Sequence, residues 1–368
     1  MVRRGQVATL GEPAEGSQAA GPDDGDLPPP SRRSAGLHRL RARFTDIGLP
    51  VAMLVIVIVF SFVGSNFMAV NNWVNIGRQT VPLAVVALGL GLVMIGGGLD
   101  LSIGSTMSLT SVCSAIVASD HGLAAGIGAG LAVGLGVGLF NGVLVAGAGV
   151  PPFIATLGML SVAAGSALLL SDGVAIHDVP DGFNWIGIET WFGIPVAVSV
   201  GLALLIVLGA LLRFTRFGRH IYAVGGDERA AWLSGVNTRW VKYRLYAISG
   251  FMAGVGGLIL SSRVNSGQPT LGDGRELDAV AAVLIGGVKL GGGEGSLWKI
   301  ALAATFLTTL DNGLSLANVS SFWQDVAVGV IIAVAALANA FRARGLGPWR
   351  FVRSLFGDVT AKRRPEHA

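Results

Sequence analysis

The sequence is poor in charge and almost devoid of cysteine. Only 13% of its 368 residues are Asp, Glu, Lys or Arg, about half the share of a soluble domain. With Cys113 as its one cysteine, the chain can form no internal disulfide and no zinc site of Cys₄ or Cys₂His₂ type. Lying within an apolar run, Cys113 reads as a small buried hydrophobe. Catalytic signatures are missing as well. There is no G-x-x-x-x-G-K-[ST] phosphate loop, no H-E-x-x-H and no G-x-S-x-G. The five histidines (His38, His121, His177, His220 and His367) are scattered over tails and loops, which favours surface roles over metal binding. The chain offers no nucleophile–base pair, so it does not read as an enzyme.

What is present is apolar residues and glycine. Hydrophobic residues make up 52% of the chain, and there are 55 glycines, about twice the usual share of glycine. Disorder requires few apolar residues. Apolar and glycine-rich together point to a bundle of membrane helices, in which small residues let backbones approach closely. The net charge of +4 sits in short basic clusters beside apolar runs, which fits membrane topology better than nucleic-acid binding.

Residues 1–44 stand apart. "GEPAEGSQAAGPDDGDLPPPSRRSAG" has almost nothing to bury and reads as a disordered cytoplasmic tail. It lacks the apolar stretch and cleavage site of a signal peptide. Ten apolar segments follow, at about 47–67, 80–97, 102–118, 122–148, 153–171, 192–213, 243–262, 278–290, 297–314 and 323–341. A helix needs about 20 residues to cross the hydrocarbon core. Most segments qualify, whereas 102–118 and 278–290 are short enough to be half-helices or re-entrant pieces. The expected fold is therefore an all-α polytopic membrane protein with eight to ten crossings.

The basic residues set its orientation. With the amino terminus inside and the crossings alternating, the loop at 214–242 is cytoplasmic and carries Arg216, Arg219, Arg229, Arg239 and Lys242. The basic tail at 343–368 is also cytoplasmic. The loop after the fifth segment, with Asp172, Asp178, Asp181 and Glu189 and no Lys or Arg, lies outside. Residues 45–342 then form the transmembrane domain. A weak internal echo between "GGLDLSIGS" (Gly97–Ser105) and "GGVKLGGGEGS" (Gly286–Ser296) is consistent with repeated halves.

Four interrupted stretches stand out. In "VMIGGGLDLSIGSTMSLT" (Val93–Thr110) a carboxylate, Asp100, follows three glycines. An ionised carboxylate at mid-membrane costs at least a few kcal/mol. Asp100 or Ser102 could cap the following helix; a place in a substrate path or in proton coupling is the alternative. In "AGAGVPPFIATLGML" (Ala146–Leu160), Pro151 and Pro152 suit a helix start. Phe153 and Thr156 share one face there, for packing or for lining a pathway. "SSRVNSGQPTLGDGRELDAVAAVLIGG" (Ser261–Gly287), with Asn265, Gln268, Asp273, Arg275 and Asp278, reads as a solvated outer loop or as a gate or docking surface. In the fourth stretch, "DERAAWLSGV" predicts a short helix outside the bilayer with acids at its start and a glycine near its end.

Taken in order, "GGGLDLSIGS", "NGVLVAGAGVPPFIATLG", "GRHIYAVGGDERAAWLSGVN", "ELDAVAAVLIGGVKLGGGEGS" and "DNGLSLANVSSFWQ" resemble the ribose-type permease subunits of bacterial ATP-binding cassette importers, over about residues 47–341. The resemblance implies a multi-pass subunit of the bacterial inner membrane that pairs with a second permease copy. It also implies a cytoplasmic ATPase that uses ATP and an extracytoplasmic solute-binding protein that delivers the substrate. On this view the chain itself binds no cofactor, metal or nucleic acid. The family's coupling pattern, Glu-x-Ala-Ala-x-x-x-Gly, matches Glu228–Gly235 and implies contact with the ATPase through Asp227, Glu228, Ala230, Ala231, Ser234 and Gly235. Trp232 departs from the pattern, which has a basic or polar residue there. The resemblance also favours a pathway role near Asp100, Ser102, Phe153 and Thr156; Asn265 and Gln268, from the gate reading of their stretch, complete the candidate substrate path. The family spans pentoses, hexoses, polyols and signalling furanoses, and no residue reads out one of them.

The leading reading is an importer permease working by alternating access. The competing one is a gradient-driven carrier of a small polar solute, for which Asp100, Asp311 and Asp325 are the titratable candidates.

Overall fold

The computed structural model describes the backbone of residues 32–64 and 66–343 and the side chains of residues 47–64 and 66–337. The chain divides into two units after Ile47. In the first unit the described backbone, from Arg32, is helical. The tail read as disordered over 1–44 therefore lies outside the described residues as far as residue 31, and the basic tail does so from 344.

The described chain is mostly helical. The long helices are α1 (Arg32–Val63), α2 (Val70–Ile95), α3 (Ile103–His121), α4 (Leu123–Gly142), α5 (Pro152–Leu170), α7 (Val196–Phe214), α10 (Thr238–Val264), α12 (Leu297–Leu316) and α13 (Ser321–Ala343). The shorter ones are α6 (Trp185–Ile188), α8 (Arg216–Gly226), α9 (Glu228–Leu233) and α11 (Arg275–Ile285), and one two-residue hairpin joins Thr190–Trp191 to Ile194–Pro195. Each of the ten apolar segments falls on one of these helices. By length and composition, α2, α4 with its π-helical extension, α5, α7 and α10 are able to cross a membrane. This makes the chain an integral membrane protein of several passes.

Burial separates centre from periphery. The apolar windows of α2 and α10 are 78% buried, against 22–28% for those of α4, α5 and α7. A helix apolar all round and buried is a core helix. The outer helices turn residues such as Leu139, Ile154, Val162, Leu202 and Ile206 outward, a face that lipid tails satisfy.

Glycine sets the tightest contact, between α4 and α10. Gly126, Gly130, Gly134 and Gly138 recur every fourth residue on the buried side of α4. A Cβ on Gly138 would lie 2.3 Å from the Tyr246 carbonyl oxygen, and one on Gly250 would lie 2.3 Å from the Gly134 carbonyl oxygen. Only hydrogen side chains let the two backbones meet in this way.

The two segments read as short differ from each other. α3 runs for 19 residues, about 28 Å, and is a full-length helix. Its low apolarity comes from buried hydroxyls, including Ser105, Thr106, Ser108, Thr110, Ser111 and Ser114. By contrast, α11 has 11 residues, about 16 Å, or half a membrane's depth. The predicted proline break is present. The end of α4 loosens into a π-helical turn at Val143–Gly147, and α5 starts with Pro152 in its first turn.

Near the ends of α2 and α12, Asn72 and Asn312 exchange side-chain amide hydrogen bonds of 2.9 and 3.0 Å. Beside them Phe60, Phe67 and Ile76 form a small second apolar cluster.

Candidate functional site

The glycines before Asp100 do two things. Gly97 takes φ 81°, the left-handed turn that ends a helix, and the Gly98 N–H bonds back to the Val93 carbonyl. Gly98 also leaves room for Tyr246, whose hydroxyl a Cβ would approach to 2.9 Å. That hydroxyl donates to the Leu99 carbonyl at 3.1 Å. The turn is thereby fixed to the middle of α10 just ahead of the acid.

Asp100 is 1% exposed. Its Oδ1 accepts from the Ser102 hydroxyl at 2.7 Å and the Ser102 N–H at 3.1 Å. Oδ2 accepts from the Ser249 hydroxyl at 2.8 Å. The Asn141 amide donates to the Ser102 hydroxyl oxygen at 2.9 Å and reaches toward Asp100 Oδ1 at 3.5 Å. One carboxylate thus ties the start of α3 to the end of α4 and the middle of α10. Hydrogen bonds of this kind are strengthened in a low-dielectric interior.

This corrects the capping expectation. Ser102 is the N-cap of α3 but makes no side-chain capping bond, because its hydroxyl is committed to Asp100. Asp100 in turn accepts from the N–H of Ser102 itself rather than from the first turn of α3. The acid serves as an inter-helix tie.

The residues assigned to a substrate path do not gather in one place. Asp100 and Ser102 are bonded to each other. Thr156 is buried and donates to the Pro152 carbonyl at 2.9 Å, whereas Phe153 is exposed on the outside of α5. Asn265 ends α10 in the left-handed conformation, 16 residues beyond Ser249 and so about 24 Å further along the helix. Gln268 follows it in a loop held down by α3. Its N–H donates to the Ser111 hydroxyl at 3.0 Å, and the Gly272 N–H donates to the Ser108 hydroxyl at 2.9 Å. The stretch read as a solvated outer loop is therefore stitched to a buried helix in its first half.

The second half of that stretch opens on a cavity of about 620 Å³ lined by Asp273, Arg275, Asp278, Asp311 and Asp325. Arg275 pairs with Asp278 at 3.3 Å. Asp311 and Asp325, read as carrier candidates, thus face the same opening and lie apart from Asp100.

At the other end of the bundle, α9 matches the short helix expected outside the bilayer. The Asp227 carboxylate caps it by accepting from the Ala230 N–H at 2.9 Å, and Gly235, at φ 83°, closes it. Ala231 is buried, while Trp232 and Leu233 are 64% and 70% exposed. Glu228 pairs with Lys242 at 2.6 Å, and the Ser234 hydroxyl donates to the Ala230 carbonyl. Just before α9, Gly225 lies against the turn after α2. A Cβ there would sit 1.8 Å from the Ile95 carbonyl oxygen, and that carbonyl accepts from the Gly293 N–H at 2.8 Å. The glycine turns at 96–98 and 291–293 therefore meet the glycine end of α8 at 225–226 backbone to backbone, three residues from Asp100 on one side and two from Asp227 on the other.

Sequence reasoning missed Asn141, Tyr246 and Ser249. The available signal was a lone polar group within an apolar helix, in "LFNGVL" and "RLYAISGF".

The pattern of a protein family described as "Branched-chain amino acid transport system / permease component" matches residues 72–336. The chain is 38% identical over 294 residues to the ribose import permease protein RbsC of Escherichia coli (strain K12), covering 78% of this chain and 92% of that one. It is 40% identical to the ribose import permease protein RbsC of Bacillus subtilis (strain 168), covering 80% and 92%. It is 34% identical to the L-arabinose transport system permease protein AraH of Escherichia coli (strain K12), covering 81% and 91%. No solved structure matches the chain.

Proposed function

Since the chain belongs to this family of transport-system permease components, we propose that it is the membrane-spanning subunit of an ATP-driven importer for a small sugar of the ribose and arabinose class. The observation that carries this reading is its relatedness to the ribose and arabinose permeases over more than nine-tenths of their length.

Residues 45–342 form the permease domain of the bacterial inner membrane, with eight to ten crossings, internally repeated halves and both termini in the cytoplasm. The segment 214–242 is the cytoplasmic coupling loop and 343–368 a basic cytoplasmic tail. A second permease copy completes the pathway, a separate ATPase chain hydrolyses ATP, and a binding protein delivers the sugar from outside. The exposed Trp232 and Leu233 of α9 are the docking points for the ATPase, since an apolar pair on a helix outside the bilayer favours burial by a partner. Movement of α9 passes through the glycine junction at Gly225 to the turn that carries Asp100, and alternating access follows. Asn265 and Gln268 belong to the outer gate and the acidic cavity to the outer face; Phe153 and Thr156 flank the pathway, and Asp100 and Ser102 act on it indirectly, by tying together the helices around it.

The test is uptake of labelled ribose, arabinose and related polyols into membrane vesicles holding this chain with its partners. The vesicles are energised by internal ATP or by a proton gradient alone. Uptake that needs ATP and the binding protein is expected. Gradient-driven uptake without an ATPase would overturn the reading.

A further inference from the structure

One groove on the bundle has no role in the transport reading. It has a volume of about 680 Å³ and runs between the first turns of α10 and the end of α4. Its α10 wall carries Arg239, Trp240, Tyr243 and Arg244, and its α4 wall carries Leu139 and Val143.

The two walls differ in chemistry. Leu139 and Val143 are exposed on a helix apolar and long enough to span the membrane, so lipid tails are the medium that satisfies them. Across the groove, Arg239 and Arg244 are exposed, and among the described residues neither pairs with a carboxylate. Arg244 stacks over the rings of Phe217 and Trp240, at 5.7 and 5.9 Å. Stacking uses the guanidinium's face and leaves its in-plane N–H donors for an anion. Trp240 and Tyr243 lie with ring centroids 6.0 Å apart, aromatics of the kind that sit at headgroup level. The Tyr243 hydroxyl lies where a Cβ on Gly147 would come within 2.4 Å of it, and it makes no hydrogen bond among the described residues.

An occupant must therefore be apolar along one side and anionic at one end. We propose that this groove binds an anionic phospholipid of the cytoplasmic leaflet. Its phosphate sits between Arg239 and Arg244, and an acyl chain lies along Leu139 and Val143. The inference rests on the importer reading in one respect, that the loop preceding α10 faces the cytoplasm. The ATPase is the less fitting occupant, because a water-soluble partner would leave the apolar α4 wall uncovered.

The experiment measures retention of fluorescent phosphatidylglycerol by the full-length chain in phosphatidylcholine nanodiscs. The wild type is expected to retain phosphatidylglycerol over a phosphatidylcholine analogue. R239Q/R244Q should weaken retention by on the order of tenfold, since each basic side chain at the surface adds to anionic-lipid attraction. R219Q/R229Q, which removes equal charge from α8 and α9, should leave it unchanged. Equal retention by wild type and R239Q/R244Q would overturn the proposal. Displacement by millimolar inorganic phosphate would also overturn it, by marking a free-anion site, as would expulsion of the lipid when the ATPase chain is added. Lipid retention is read without transport, so failed uptake with intact retention counts against the importer reading alone. Intact uptake with unselective retention counts against the lipid site alone.

Discussion

Ser249, in the middle of α10, donates its hydroxyl to Asp100 at 2.8 Å across 149 residues of chain. With Ser102 and Asn141 it encloses a carboxylate that is 1% exposed. Removing such an acceptor strands several buried donors. Asp100→Ala should therefore lower stability by about 3 kcal/mol or more, read as a lower melting temperature in detergent and poor accumulation in membranes. Asp100→Asn keeps one carbonyl acceptor for Ser102, and the Ser249 hydroxyl is free to turn and accept from the new amide. It should fold and keep most uptake. Abolished uptake with an unchanged melting temperature would instead assign Asp100 to the pathway or to proton movement.

The helical segments were legible because apolar runs and glycine or proline punctuation are local signals. Gly97, Pro152 and Gly235 each end or begin a helix where the sequence places the boundary. The role of Asp100 was less legible. Capping is a local inference, and "DLS" invites it, but the Ser102 hydroxyl is drawn away by a carboxylate that α4 and α10 help to hold. Asn141 and Ser249 carry no local signature, since their meaning depends on which helices meet. The apolar run at 102–118 understates the length of α3, because buried hydroxyls lower its apolarity without ending the helix. Its hydroxyls bind the loop around Gln268 rather than breaking the helix. The short exposed helix α9 was readable from its acids and its closing glycine.

The α4–α10 crossing predicts opposite outcomes for glycines on one helix. Gly138→Ala puts a methyl within 2.3 Å of the Tyr246 carbonyl and should cost about 1–3 kcal/mol through forced separation of the backbones. Gly136→Ala meets nothing within 4 Å and should be neutral, or stabilising by up to about 1 kcal/mol through helix propensity. Thermal unfolding of the two variants in the same detergent compares them directly, and equal melting temperatures would mean the helices do not cross as described.

Two adjacent glycines test the junction in the same way. A methyl at Gly225 would lie 1.8 Å from the Ile95 carbonyl oxygen, whereas one at Gly226 has open space. Gly225→Ala must displace the turn that leads to Asp100, so uptake should fall by at least tenfold. Gly226→Ala should transport like the wild type. If Gly225→Ala folds and couples ATP hydrolysis to uptake normally, the junction is not part of the transmission.

α9 separates docking from folding. Trp232 is 64% exposed, and the chain alone gains little from it, so Trp232→Ala should leave the melting temperature within a degree or two of wild type. ATPase binding should weaken, because an exposed aromatic buried by a partner is a typical hot spot worth about 2 kcal/mol or more. Asp227→Ala removes the cap on the Ala230 N–H and should loosen α9 by about 1 kcal/mol, visible as faster hydrogen exchange over residues 228–233. Glu228→Gln breaks an exposed pair with Lys242 that is worth about 1 kcal/mol at most, so stability should barely change. Pull-down of the ATPase with each variant orders them: Trp232→Ala weakest, Asp227→Ala intermediate and Glu228→Gln nearest to wild type. Undiminished ATPase binding by Trp232→Ala would remove α9 from the docking surface and leave its exposed tryptophan to lipid.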